Sequence, residues 1–319
     1  MTDHDDSLDG QSLDAAVDRV AARTGDDPDA IRAALGRVTT DGIVRRDAVD
    51  DALAHVSKVV STPETRVENA GMLIDDAREA AAAVAHLDTV AERLADFERR
   101  HEAVASRVDD LGDQLQSVID LAESDDIYET AVEIRRLNAA ANSAQHTADE
   151  LGVDAEEFEA WVRNPDRRLH ALDDDADAVT DFVEGVGETL DAVAAEDVDP
   201  AAVRFDATLR HRVARLLLAD LRAEVEDLHA WPDPGPDDAH GAVDADALAA
   251  LDDRLTDLEQ RWQSLGDRFD AESEWRDRYG DRLADFEAAL DDHSPPVDWG
   301  AVESLLGEYR PETEGAASA

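Results

Sequence analysis

The sequence contains no cysteine, one lysine and no long apolar run. The absence of Cys excludes disulfides and thiolate chemistry, and it fits a reducing compartment. Lys58 is the only lysine and lacks the glycines of a Walker-type phosphate loop. The longest apolar runs, such as residues 80–85, fall far short of the ~20 residues that span a bilayer. Residues 1–10 are acidic and show no apolar signal region, so we expect a soluble cytoplasmic protein without membrane insertion.

Basic residues are scarce relative to acidic ones. The 319 residues include 30 Lys and Arg against 79 Asp and Glu, a formal net charge of −49. Such self-repulsion destabilises compact folds in dilute salt, whereas molar salt shortens the Debye length to ~3 Å. The composition therefore predicts a halophilic protein. A disordered acidic chain is the alternative, but a sustained apolar period argues against it.

A heptad pattern dominates the chain between residues 87 and 122. The a positions are occupied by Leu87, Leu94, His101, Val108 and Leu115. The d positions are occupied by Val90, Phe97, Val104, Leu111 and Val118. An ideal helix drifts ~20° per heptad from this repeat, so the pattern predicts a coiled coil. His101 is the polar interruption, and we interpret it as a residue that sets the register of the seam. The helix is expected to run unbroken over residues 64–123.

Capping and turn signals divide the rest of the chain. We predict a disordered leader over 1–11, a three-helix head over 12–62 and a body of long and returning helices over 63–231. The break at 61–63 rests on Thr62 as an N-cap before Pro63. Gly152 is expected to end another helix. A Pro- and Gly-rich linker over 232–243 precedes a second long helix, so the last segments are 244–309 and a disordered tail over 310–319.

The second long helix is expected over residues 244–291. Its apolar seam consists of Leu248, Leu251, Leu255, Leu258, Trp262, Leu265 and Phe269. No strand of useful length is visible. The predicted fold is all-α: a small three-helix N-terminal head followed by an elongated antiparallel coiled-coil or helical bundle.

Three patterns could carry chemistry, and each has a simpler explanation. Glu98 with His101, and Glu226 with His229, have the Glu-x-x-His spacing of di-iron bundles, but such sites need two further inward carboxylates. The acids between residues 173 and 184 match calcium-loop positions, yet Ala178 stands where the loop needs Gly. No catalytic triad or nucleophile elbow is visible. We therefore expect no enzyme, no metal and no cofactor.

One stretch is exempt from the acidic bias. Residues 28–66 contain six acids and six bases. A small core with few surface positions would explain the balance, and a docking surface for an acidic partner is the functional alternative. Arg45, Arg46 and Lys58 are the candidate partner-binding residues. Two helices around a turn also permit DNA binding, but a neutral segment gains little from counterion release, so nucleic acid is disfavoured.

Three stretches resemble a group of haloarchaeal proteins known as halo transducer proteins. They are DGIV at 41–44 with SKVVSTPETRV at 57–67, IYE at 127–129 with IRRL at 134–137, and EEFEAW at 156–161. The resemblance implies a role in signalling and supplies no catalytic residues.

These observations favour a non-catalytic structural or signalling adaptor that binds protein partners, with a homodimer as one option. The alternative is a regulator whose N-terminal head binds DNA or a partner protein. A metal-binding helical bundle is the third hypothesis.

Overall fold

The computed structural model describes residues 7–123, 126–192, 199–232, 243–270 and 275–311. The described residues form ten α-helices and one two-stranded antiparallel sheet, so the all-α prediction is confirmed. Within these ranges, no helix combines the length and the apolar character that crossing a membrane requires.

The helices are numbered in chain order. They are α1 Leu13–Thr24, α2 Pro28–Leu35, α3 Arg46–Ala81, α4 Asp88–Ala122, α5 Ile127–Arg163, α6 Pro165–Ala192, α7 Pro200–His229, α8 Ala245–Asp270, α9 Arg276–Leu290 and α10 Trp299–Tyr309. A 3₁₀ turn, Gly36–Val38, leads into strand β1, Thr39–Thr40, which pairs with β2, Ile43–Val44.

The chain divides into two compact units, and neither is a continuous segment. Unit 1 consists of Met1–Glu79 and Leu94–Glu159, and unit 2 consists of Ala80–Arg93 and Ala160–Ala319.

Local capping and turn residues define the N-terminal elements. The side chain of Ser12 accepts a hydrogen bond from the backbone of α1, and Gly25 ends that helix with φ of 77°. Asp27 caps α2 ahead of Pro28. Asp41 and Gly42 both have positive φ in the turn between β1 and β2.

The expected disordered leader is partly packed. Leu8 is buried, the Gly10 N–H donates to the Val44 carbonyl at 2.9 Å, and the Val44 N–H donates to the Gln11 carbonyl at 2.8 Å. Residues 8–11 thus extend the edge of the small hairpin. Residues 1–6 lie outside the described part of the chain, as do 312–319 of the expected tail and 233–242 of the expected linker.

The expected break at residues 61–63 is wrong, because α3 continues through Pro63. Thr62 is not an N-cap, and its hydroxyl donates to the Lys58 carbonyl at 3.2 Å. Pro63 is buried and belongs to an apolar stripe on one face of α3, with Val56, Val60, Val67, Ala70 and Ile74. Burial of that continuous stripe outweighs the local signal of Ser, Thr and Pro.

The long helix instead breaks where no breaker residue stands. Residues 82–87 form turns, and α4 begins at Asp88. The backbone N–H of Thr89, in the first turn of α4, donates to the Asp227 carboxylate on α7 at 2.8 Å. A side chain distant in sequence therefore serves as the cap that begins this helix.

Gly152 does not end a helix, since α5 continues to Arg163. A Cβ atom at residue 152 would lie 3.1 Å from the Leu73 side chain and 4.0 Å from the Ala70 Cα. The glycine therefore permits close approach of α3 and α5 within unit 1.

Unit 2 has an apolar core built mainly from α7, α9 and α10. Its buried members include Phe205, Leu209, Tyr279, Phe286 and Val302. The seam residues Leu248, Leu251, Leu255 and Leu258 of α8 are also buried. The single helix expected over 244–291 corresponds to α8 and α9, and residues 271–274 between them lie outside the described part.

Candidate functional site

The first candidate site is the surface around the hairpin and the start of α3. Arg45 is exposed, and its backbone N–H donates to the Val38 carbonyl at 3.0 Å. Arg46, the second candidate partner-binding residue, is half-buried. Its guanidinium donates to the Ala122 carbonyl at the end of α4, and its backbone N–H donates to Asp9 at 2.9 Å. Arg46 therefore links the start of α3 to the end of α4 and to Asp9 within unit 1.

A groove of about 300 Å³ lies beside this junction. Arg37, Thr40, Asp51, His55, Val56 and Ile134 contribute to its lining. Lys58 is exposed on α3, three residues beyond His55. Because residues three and seven apart share a helix face, Lys58 lies on the same face as His55 and Asp51.

The bases of residues 28–66 divide into two groups. Arg32 pairs with Asp14 at 2.6 Å, and Arg66 pairs with Asp149 at 3.3 Å. Arg37, Arg45 and Lys58 are exposed, and within the described ranges none of the three makes an ion pair. We call these three residues, with the adjoining groove, the cationic head surface. Internal ion pairs thus account for only part of the balanced charge of residues 28–66.

His101 lies at the contact between α4 and α3. Its side chain is half-buried, and its Nε2 lies 3.1 Å from the Val67 carbonyl. A Cβ atom at residue 71 would lie 3.0 Å from the same Nε2, so Gly71 makes room for the ring. The hydrogen bond to an α3 carbonyl gives His101 a defined partner across the two helices.

The metal patterns of the sequence are engaged in other contacts. Glu98 accepts from Arg78 at 2.7 Å, and His229 lies 2.8 Å from Asp252. The calcium-like acids lie in helix α6, where Asp173 and Asp177 pair with Arg254. Among the residues that the structure describes, no three His, Asp or Glu side chains converge to hold a metal ion.

A buried arginine, which no sequence pattern indicates, lies between α5 and α6. Arg168 is 1% exposed, and its Nη1 donates to the carbonyls of Trp161 at 3.2 Å and Val162 at 2.5 Å. Its guanidinium carbon lies 4.1 Å from the centre of the Trp231 ring. Burial lowers the pKa of Arg168 to about 10. The residue thus caps the end of α5 and packs on an aromatic ring.

A second candidate site, the acidic cleft, is an opening of about 510 Å³ in unit 2 between α6, α7 and α10. Its walls are mainly apolar, but Asp175, Asp220 and Glu224 also line it. Glu224 forms an ion pair with Arg93 at 3.7 Å. Burial raises the pKa of Glu224 to about 7 and also raises the pKa values of Asp175 and Asp220. Asp220 and Glu224 are four residues apart on one face of α7, whereas Asp175 comes from α6 and joins them only through the packing of the two helices.

Comparison with known proteins gives no relative to which either site could be matched. No family model matches the sequence, and neither the curated proteins nor the solved structures include a match.

Proposed function

We propose that the protein is a non-catalytic adaptor of a halophilic cytoplasm, and that its cationic head surface binds an acidic partner protein. The observation that carries the proposal is the exposure of Arg37, Arg45 and Lys58 without ion pairs in the described structure, in a chain of net charge −49. An acidic protein would normally be repelled by this chain, and local cations relieve that repulsion and orient the encounter.

The groove adds a concave, partly apolar surface to the charged residues of the cationic head surface. Val56 and Ile134 provide apolar wall, while Thr40 and His55 provide polar groups. An interface needs both apolar area and a polar rim, and cations at the rim mainly affect association rate and specificity. The partner is therefore expected to insert a short apolar segment that is flanked by acids.

Coiled-coil packing is the second part of the proposal. The seam of α4 is largely buried, including Phe97, Val104 and Leu111, and the seam of α8 is buried at Leu251 and Leu255. We take these seams to be the coiled-coil contacts of the helical body. A signalling role, as the resemblance to halo transducer proteins implies, and a homodimer are both compatible with such a body.

DNA binding by the head is the weaker alternative. Three cations would neutralise few phosphates, and affinity that rests on counterion release falls steeply with salt. Binding of a protein partner through the groove does not depend on counterion release alone.

The test uses a photo-reactive amino acid at Thr40, in the groove, in the full chain expressed in high-salt cells. We expect cross-links to a protein whose linked segment is rich in Asp and Glu. Arg45→Glu with Lys58→Glu should abolish those cross-links. The matched control is Arg107→Glu with Arg167→Glu, which makes the same change in charge at exposed positions of α4 and α6.

Circular dichroism establishes that both double variants keep the helicity of the parent. Loss of cross-links in the control variant, or their persistence in the head variant, would show that the cationic head surface is not the docking site. Cross-links to nucleic acid instead of protein would favour the alternative.

A further inference from the structure

The acidic cleft of unit 2 combines two kinds of surface. Phe182, Leu217, Trp299 and Leu306 line it and are only half-buried, so apolar surface on α6, α7 and α10 remains in contact with water. Covering such surface is favourable in proportion to its area. The volume of about 510 Å³ falls in the range of ~300–1,000 Å³ that is typical of small-molecule sites.

The polar lining has one sign of charge. Asp175, Asp220, Glu224 and Glu303 line the cleft, and among the described residues no Lys or Arg belongs to its lining. Arg93 forms an ion pair with Glu224, and its Nη2 lies 3.7 Å from the Glu224 carboxylate. One arginine cannot balance the nearby carboxylates, so a cation in the cleft would meet a favourable field.

The Asp220 carboxylate is held in place. It accepts hydrogen bonds from the Trp299 indole Nε1 at 2.9 Å and from the Val297 N–H at 3.2 Å. These bonds tie α7 to the start of α10 and fix one acidic group beside the aromatic wall. A preformed charged group costs a ligand little reorganisation on binding.

We propose that this cleft binds a small organic cation with an apolar body, whose ammonium group faces the carboxylates and whose hydrocarbon covers the apolar walls. A bare metal ion would leave the apolar walls uncovered. A neutral apolar molecule would leave the carboxylates unbalanced. Only a ligand that has both parts matches both surfaces.

The charge state of Glu224 gives the binding a pH dependence. The groups that act on it are Arg93 from α4, Asp175 from α6, and Asp220 and Asp227 from α7. Because burial raises its pKa to about 7, Glu224 gains its negative charge as the pH rises through neutrality. A quaternary ammonium ligand carries its charge at every pH, so its affinity should be higher at pH 8 than at pH 6.

The experiment is isothermal titration calorimetry of the full chain at constant molar KCl with hexyltrimethylammonium. Tetramethylammonium lacks the apolar body, and 1-hexanol lacks the charge. We expect one saturable site for the complete cation, with both partial ligands weaker by at least about tenfold. No saturable binding, or equal binding of 1-hexanol, would overturn the proposal.

Variants locate the site. At pH 8, Glu224→Gln should weaken binding by about tenfold and remove the difference between pH 6 and pH 8. Glu188→Gln, an exposed acid on α6, makes the same change in charge outside the cleft and should leave binding unchanged. Asp175→Asn provides a second cleft variant if Glu224→Gln disturbs folding. Equal weakening by Glu188→Gln, or no weakening by either cleft variant, would exclude this site.

Discussion

The environment of Glu224 makes its protonation part of the stability of unit 2. The pKa of this carboxyl rises from the ordinary 4.5 to about 7 mainly because burial disfavours the charge. The ion pair with Arg93 opposes that effect, and nearby acids add to it.

A raised folded-state pKa stabilises the fold at low pH. The contribution of Glu224 is complete below pH 4.5 and is lost as the pH rises through 7. Glu224→Gln is neutral at every pH, so relative to the parent it should gain on the order of 2 kcal/mol between pH 5 and pH 8. Urea unfolding at both pH values in constant molar KCl measures this gain. The control Glu188→Gln should show almost no such gain, and a pH-independent difference for Glu224→Gln would contradict the assigned pKa.

Gly71 on α3 and His101 on α4 approach so closely that one added Cβ atom should change the stability of unit 1. Gly71→Ala would place a Cβ atom 3.0 Å from the His101 Nε2, so the ring must shift away from the Val67 carbonyl. We expect a loss of about 1–2 kcal/mol in the free energy of unfolding, because a partly buried hydrogen bond is disturbed.

The double-mutant cycle separates crowding from helix propensity. In a His101→Ala background, Gly71→Ala should instead stabilise the protein by about 1 kcal/mol, because Ala is the better helix former. Gly112→Ala is the matched control, since no atom lies within 4 Å of a Cβ at that position of α4. It should be stabilising in both backgrounds. A stabilising Gly71→Ala in the parent would show that the ring moves freely.

The start of α4 depends on another element. Asp227 on α7 accepts the Thr89 N–H at 2.8 Å, in the place where an N-cap side chain would stand. Asp227→Ala should cost about 1 kcal/mol, whereas Asp227→Asn keeps an acceptor and should cost less. Chemical denaturation measures both. Glu226→Ala, an exposed neighbour, controls for the loss of charge. Equal stability of Asp227→Ala and Glu226→Ala would refute the capping role.

Helix boundaries were predictable where the signal is local. The starts of α1, α2 and α7 follow from Ser12, Asp27 and Asp199, each of which caps its own helix. The passage of α3 through Pro63 was not predictable, because it depends on a stripe of residues that packs only in the folded unit.

The two candidate sites also differ in how far the sequence predicted them. The neutral charge of residues 28–66 marked the head surface, but which of its bases are engaged emerged only from the tertiary structure. In the acidic cleft, the sequence shows only the i,i+4 spacing of Asp220 and Glu224, and tertiary packing is needed to bring Asp175 and Trp299 beside them.

The charge of the whole molecule governs its response to salt. Many ion pairs are exposed, such as that between Arg78 and Glu98 at 2.7 Å, and salt weakens such pairs. A net charge of −49 means that repulsion between unpaired acids is the larger effect. The thermal midpoint should therefore rise as KCl increases from 0.1 M to about 2 M, where the Debye length is a few ångströms.

Circular dichroism melts at a series of KCl concentrations measure this rise. Equimolar sucrose series control for solute effects that do not depend on charge. A thermal midpoint that is constant or falls with KCl would exclude the halophilic interpretation.

The bond between Thr89 and Asp227 also has a consequence for synthesis of the chain on the ribosome. The two residues are 138 positions apart, so at ~5–20 residues per second roughly 7 to 28 seconds separate their emergence. The second part of unit 1, Leu94–Glu159, emerges within that interval, so the whole of unit 1 has emerged before Asp227. The nascent protein can thus complete one unit while a short segment of the other, Ala80–Arg93, waits for the residue that defines where its helix begins.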